Sequence, residues 1–507
     1  MTTAGEAASG RSAALLERVI RSVVYLLGSR IVLQGLSFVS TVLVARWLDP
    51  QDYGLMAIAG IFVAMMNMLT ELGVGAALIQ FKDVSDAELN TAFWLTVAAA
   101  VLAYMVLYAL APWLSVFFAI PRLTVVLRVA GLAAVLTVLR IVPESLLRKR
   151  LRLDRLSVAE VISTGATIPL TMGLAYGGAG VWALVAGSAT AWLIQASCTF
   201  AFARWWPGRQ VGSRRLRHLV RYSGAVLGSR LAWTAYSESD RAVLGRVAGD
   251  ASLGFYAMAI KIALLPIEKV SVLVNQVAAP VFAEIQGDLG AMRACLLQSS
   301  RIVAWATLPV CVGTLLVAED AIPLVLTEKW TPAAPVVQLL CLYAAIRSLA
   351  ALFPPVLMAS YRADFLLRYN LAMATVMPFG FGVGAWWAGA LGVAAVWSIV
   401  YPLAAAVMVA VTLRHLHMPW RALWNELRRP LLATAVMAIT AATTRQIHSD
   451  LGGEGPVRLA LVVLTGVVVY GAAFRLLGGP VHQDVRVIFD AMRRRALPLA
   501  VSSRSTP

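Results

Sequence analysis

Charged side chains are scarce. Asp, Glu, Lys and Arg make up only 14% of the 507 residues, against about 25% in a soluble domain, which excludes an ordinary water-soluble fold. Cysteine is scarcer still. Cys198, Cys295, Cys311 and Cys341 form no CxxC pair, and read as small buried thiols rather than a disulfide framework or a thiolate metal site. The five histidines (His218, His415, His417, His448 and His482) fall in predicted loops or tails, so neither a metal centre nor a cofactor is expected. Walker A, HExxH and GxSxG patterns are missing, and no loop is long enough to hold a catalytic domain. A membrane enzyme such as a glycosyltransferase or ligase would need such loops, so the chain is not expected to be an enzyme.

What is present is apolar sequence, 60% of the whole, in runs that suit a bilayer. With about 20 apolar residues per crossing, the chain offers about fourteen spans: 23–45, 54–80, 91–113, 123–143, 156–176, 180–203, 222–245, 253–283, 302–318, 333–358, 366–387, 390–413, 431–447 and 457–477. The first run outlasts a signal-peptide core and lacks a clear cleavage site, so it is read as retained.

The formal net charge of +17 has a topological reading. With the N-terminus inside, the cytoplasmic connections hold LLRKRLRLDR (147–156), RWWPGRQVGSRRLRHLVR (204–221) and RHLHMPWRALWNELRRP (414–430), whereas opposite loops such as LDPQDYG and YGGAG nearly lack Lys and Arg. Basic residues collect on the cytoplasmic side of a membrane. Both termini are therefore expected inside, and nucleic acid is not an expected partner.

The chain repeats itself. Leu27-Gly-Ser-Arg30 recurs as Leu227-Gly-Ser-Arg230, Arg46 matches Arg246, and Gly54 matches Gly254, all at a spacing of 200. Further on, Pro112 and Pro143 match Pro323 and Pro354 at 211, and Gly180-Val matches Gly392-Val at 212. The expected architecture is all-α: two pseudo-symmetric six-helix bundles related by an axis along the membrane normal, plus two extra C-terminal helices. The corresponding segments are a cytoplasmic tail (1–22), a first bundle (23–203), a basic linker (204–221), a second bundle (222–413), an amphipathic linker (414–430), helices 13 and 14 (431–477) and a basic tail (478–507).

Cations inside these spans need a reason. Arg30, Gln34, Ser37 and Thr41 share one helical face, and Arg230, Thr234, Ser237 and Arg241 repeat it. A polar stripe cannot face lipid. It lines a cavity open to substrate, or its arginines snorkel and pack. Arg140 and Arg347 place further cations in helices 4 and 10. The acids Glu71, Asp240 and Glu268 read either as fixed ion-pair partners, Glu71 for Arg30, or as sites coupling transport to a proton or sodium gradient. Two amphipathic stretches, 420–429 and 481–497, carry apolar faces opposite arginines and are expected to lie on anionic inner-leaflet lipids.

VARWLDPQDYGLMAI (44–58), ELGVGAALIQ (71–80), PIEKVSVLVNQVAAPVFAEIQGD (266–288) and TEKWTPAAPVVQLLCLYA (327–344) resemble the polysaccharide-transporter branch of the multidrug/oligosaccharidyl-lipid/polysaccharide flippase superfamily. The resemblance implies a flippase of the inner membrane. Its cargo would be an undecaprenyl-diphosphate-linked oligosaccharide for lipopolysaccharide or exopolysaccharide synthesis, moved by alternating access, with a polymerase and a chain-length regulator as partners. Cavity arginines suit a diphosphate. The alternatives are a lipid II flippase and a multidrug or cation antiporter of the same fold. The branch has no fixed residue signature, so the roles of Arg30 and Arg230 rest on the stripe argument.

Overall fold

The computed structural model describes residues 35–71, 74–75, 78, 84–209, 237–265, 267, 281–282, 284–450, 455–479 and 481. All regular structure among these residues is helical. That follows from the solvent: backbone groups in a bilayer core must pair within their own segment, so an apolar run becomes a helix. Large apolar side chains such as Trp113, Phe379, Trp386 and Leu403 are exposed, a surface suited to lipid. The protein is an integral membrane protein. It divides near Glu238 into two compact units.

The first unit holds α1 (Gly35–Trp47), α2 (Pro50–Glu71), α3 (Asp86–Phe118), α4 (Leu123–Leu139), α5 (Ile141–Lys149), α6 (Leu153–Tyr176) and α7 (Val181–Ala203). A capping box starts α3: Glu88 N–H donates to Ser85 Oγ at 3.3 Å, and Ser85 N–H donates to Glu88 Oε2 at 3.0 Å. Pro143 ends α4. It has no N–H for the carbonyl four residues back, so the helix stops at Leu139, resumes as α5, and leaves Arg140 at the joint.

The second unit holds α8 (Ser239–Ala263), α9 (Leu289–Leu326), α10 (Ala333–Ala350), α11 (Phe353–Ala359), α12 (Ala363–His415), α13 (Trp420–Asp450) and α14 (Gly455–Leu477). Pro354 ends α10 at Ala350, again four residues back. Two of these helices are folded in the middle. As a straight rod the 53 residues of α12 would reach about 80 Å, far beyond a bilayer core. Instead the chain reverses at Ala388–Gly389, so closely that a Cβ on Gly392 would overlap the Gly384 carbonyl. The turn in α8 is at Gly249, with φ of 79°.

The duplication is visible in the backbone. Gly180 (φ 55°, ψ −133°) and Gly389 (φ 55°, ψ −130°) adopt one conformation. Left-handed residues recur in step: Leu151 and Tyr361 at φ 54° and 56°, Arg204 and His417 at 49° and 47°. The turns around Leu151 and Tyr361 also share hydrogen bonds, Arg152 N–H to Leu147 O and Arg362 N–H to Leu357 O. The structural counterpart of Gly180 is thus Gly389, not the Gly392 that the sequence spacing pairs with it. Gly389 supplies the turn conformation, and Gly392 supplies a close approach between helices.

Every expected span falls at least in part on helix, and nine helical segments among the described residues are long and apolar enough to cross a membrane, the folded segment Asp364–His415 counting once. The amphipathic stretch 420–429 is the start of α13 rather than a separate element. Its N-terminal end is tied to α9 by Arg301 and Glu426 at 2.7 Å, and its far end by Asp320 and Arg445 at 2.9 Å. Arg458 of α14 reaches the same Asp320 carboxylate at 2.5 Å.

Candidate functional site

Among the described residues, each unit gathers polar side chains within its apolar helices. In the first, a cavity of about 450 Å³ is lined by Asn67 and Glu71 of α2, Thr137 of α4, Arg140 at the joint, and Glu144 and Arg148 of α5. The break made by Pro143 is what brings these side chains together. Arg140 donates to Gln195 Oε1 of α7 at 2.8 Å and lies 3.5 Å from Glu144. Arg148 donates twice to Glu144 Oε1, at 2.7 and 3.0 Å. Thr137 Oγ1 donates to Asn67 Oδ1 at 2.7 Å. Two carboxylates and two guanidiniums thus face one space, with side-chain exposures of 36% for Arg140 and 22% for Glu144. Arg140, held by Gln195 and Glu144, and Arg148, held by Glu144, keep donor capacity for an anion, since a guanidinium carries five N–H groups.

In the second unit the centre is Asp240, which is 1% exposed. Its Oδ1 accepts from the Arg241 N–H at 2.7 Å. Its Oδ2 accepts from Tyr256 Oη at 2.5 Å and from Trp397 Nε1 at 3.2 Å. In a straight helix Asp240 and Tyr256 would stand about 24 Å apart, so the Gly249 reversal is a condition of the contact. From Trp397 the network continues by ring contact to Tyr343, with centroids 4.5 Å apart, and ends where Arg347 donates to Tyr343 Oη at 2.7 Å. The aromatic run thus links the buried Asp240 carboxylate to a cation on α10.

Of the residues singled out in the sequence, Arg140 and Glu71 share the first cavity, while Asp240 and Arg347 terminate the second network. Ser37 is exposed on α1, and its carbonyl accepts from Thr41 Oγ1 at 2.9 Å. Ser237 and Arg241 are half-buried at the start of α8. Arg30, Gln34, Arg230, Thr234 and Glu268 lie outside the described residues, as do the Arg30–Glu71 pairing and almost all of the 481–497 stretch.

Sequence reasoning missed Asn67, Thr137, Gln195 and Glu144, which are ordinary polar residues until the Pro143 break assembles them. It read Arg148 only as loop charge. Tyr256 and Trp397 carried a usable signal, because a buried Tyr or Trp needs a partner for its polar tip. Among the described residues no group of three or more His, Cys, Asp or Glu could hold a metal ion.

Residues 43–335 match the family model described as "Polysaccharide biosynthesis protein". The chain is 25% identical over 396 residues to the lipopolysaccharide biosynthesis protein WzxC of Escherichia coli (strain K12), covering 75% of this chain and 77% of that one. It is 25% identical over 420 residues to the teichuronic acid biosynthesis protein TuaB of Bacillus subtilis (strain 168), covering 80% and 84%. Its fold is similar to that of the lipid II flippase MurJ in an inward closed conformation, with a TM-score of 0.69 at 14% identity over 92% of this chain and 99% of that one. The family match takes in most of the first unit, α8, α9 and the start of α10: this membrane protein belongs to the polysaccharide biosynthesis protein family.

Proposed function

We propose that the chain is a flippase carrying undecaprenyl-diphosphate-linked oligosaccharide repeat units from the cytoplasmic to the outer leaflet of the inner membrane. It serves surface polysaccharide synthesis by alternating access. The observation that carries this reading is the family match over 43–335, supported by relatives named for lipopolysaccharide and teichuronic acid biosynthesis. Chemistry supports it too. A lipid-linked diphosphate needs cations to hold its head and an apolar surround for its tail, and a cavity with two guanidiniums inside an apolar chain offers both.

In this reading Arg140 and Arg347, together with Arg30, Gln34, Ser37, Arg230, Thr234, Ser237 and Arg241, contact the cargo. Glu71, Asp240 and Glu268 couple the cycle to an ion gradient. Both termini are cytoplasmic, consistent with the loop charges, and a polymerase and a chain-length regulator work alongside. A deletion strain tests the proposal. It should accumulate the lipid-linked oligosaccharide facing the cytoplasm and lose its surface polysaccharide, and the intact gene should restore both. If that lipid still reached the outer leaflet at the normal rate, with sensitivity to cationic drugs as the only defect, the antiporter reading would replace this one.

A further inference from the structure

The repeat provides an internal comparison that exposes a further polar site. In the first copy, the end of α7 is sealed by one arginine from the turn after α5 and one from the first turn of α6. Arg150 donates to Ala203 O at 3.0 Å and Arg155 to Phe202 O at 2.6 Å, satisfying carbonyls that a helix C-terminus leaves unpaired. In the second copy the turn is superposable in conformation, but the positions of Arg150 and Arg155 are Ser360 and Phe365. There the carbonyl of Leu416, the counterpart of Ala203, is taken by Arg293 Nε of α9 at 2.5 Å.

The space left open is a pocket of about 560 Å³ lined by Arg362, Arg368, Arg414, His415 and His417. Three guanidiniums face a single carboxylate there, Asp364. Among the described residues none of these three arginine side chains makes a hydrogen bond or a salt bridge within the protein, although all sit within one pocket. All three arginines, like Asp364, are exposed, so water screens their mutual repulsion, and an anion that reached several of them at once would relieve what remains. The remaining wall is apolar, formed by Leu289, Phe365 and Val411, and Leu367 and Leu371, next to Arg368 on α12, are exposed.

We propose that this pocket binds the phosphate of an anionic phospholipid. The arginine forks would take the phosphate oxygens, and the acyl chains would follow the apolar wall onto the exposed leucines of α12. Basic pockets between membrane helices on the cytoplasmic side have this chemistry. Free phosphate would engage the same cations but gain nothing from Leu289, Phe365 and Val411. The site is separate from the cavity around Arg140 and does not depend on what the chain transports.

The test is binding, read without transport. The full chain, purified in detergent and delipidated, is titrated with phosphatidylglycerol or phosphatidylcholine and the adducts are counted by native mass spectrometry. Wild type should retain one phosphatidylglycerol more strongly than any phosphatidylcholine. R362A/R368A/R414A should weaken that adduct at least about tenfold, since each arginine near an anionic lipid contributes. An R150A variant, altered in the sealed copy of the turn, should bind as wild type does. Should the triple variant elute as aggregate, R362Q, R368Q and R414Q singly must each weaken the adduct. Equal retention of the two lipids, or an undiminished adduct in the variants, would overturn the proposal. Abolition of the adduct by millimolar inorganic phosphate, with phosphate itself bound, would overturn it in favour of a soluble anion.

Discussion

Asp320 of α9 and Arg445 of α13 meet at 2.9 Å, nineteen residues beyond Arg301 and Glu426, which join the same two helices at 2.7 Å. Equal intervals in both helices mean that α9 and α13 run parallel and in step. Nineteen residues rise about 28 Å, close to the thickness of a bilayer core, so the two ionic contacts bracket the apolar stretch between them. Of the helices that stand outside the repeat, α13 is thereby fastened to α9 near both ends of that stretch, and α14 joins at Asp320 through Arg458.

Removing Asp320 should loosen that fastening. Its side chain is 6% exposed and serves both Arg445 and Arg458, so D320A leaves Arg458 without its anion and costs about 3 kcal/mol. E319Q alters a side chain that is 52% exposed and should cost less than about 1 kcal/mol. Fluorescence-detected melting of the two variants in detergent gives the comparison. Equal shifts would mean that the buried contact does not hold α13 and α14.

Arg140 separates a cargo role from a packing role. Its side chain is 36% exposed and its partners are Gln195 and Glu144, so R140A should cost under about 1 kcal/mol in stability. Under the flippase reading it should nevertheless abolish restoration of surface polysaccharide in a deletion strain, and R140K, which keeps charge but not the fork, should restore it in part. Normal restoration by R140A, with membrane levels matched by immunoblot, would remove Arg140 from the cargo path.

Gly389 and Gly392 should fail for different reasons. At Gly389 the backbone lies where only glycine is comfortable, so G389A should cost about 1–3 kcal/mol, and a Cβ there would also stand 3.0 Å from Ser252 Oγ. G180A should show the same penalty, because Gly180 shares the conformation and would press on Asp52 Oδ1 at 3.2 Å. At Gly392 the obstacle is the Gly384 carbonyl itself, so G392V should prevent the hairpin from closing and lower the yield of folded protein, measured by size-exclusion profile. A well-folded G392V would show that the helices can separate without loss.

The all-α class, the abundance of apolar helices and the duplication were legible because they depend on local quantities: apolar run length and the positions of Pro143 and Pro354. The mismatch at Gly180 has a physical cause. Sequence comparison aligned Gly-Val with Gly-Val, whereas the backbone aligns a left-handed turn with Gly389. The halves of the candidate site differ in the same way. Arg140, Glu71, Asp240 and Arg347 stood out as charges in apolar runs, but which of them share a space depends on a helix break and a chain reversal. Neither the Pro143 joint nor the Gly249 turn leaves a periodic trace that would have led to Gln195 or Trp397.

Asp240 is where stability and coupling can be told apart. Its carboxylate accepts from three donors, the Arg241 N–H, Tyr256 Oη and Trp397 Nε1. Asparagine has one acceptor oxygen, and its amide would face a donor. The Trp397 indole also donates to Tyr256 Oη at 2.9 Å and keeps that partner, but whichever way the amide turns, either the Arg241 N–H or the Tyr256 hydroxyl loses its acceptor, so D240N should cost about 1–3 kcal/mol. If packing is all that Asp240 provides, flipping should fall only in proportion to the loss of folded protein. If Asp240 carries the ion, D240N that reaches the membrane at the wild-type level should lose gradient-driven flipping in proteoliposomes, because the amide carries no charge. Gradient-driven flipping retained by folded D240N would assign the network to structure and leave coupling to another carboxylate.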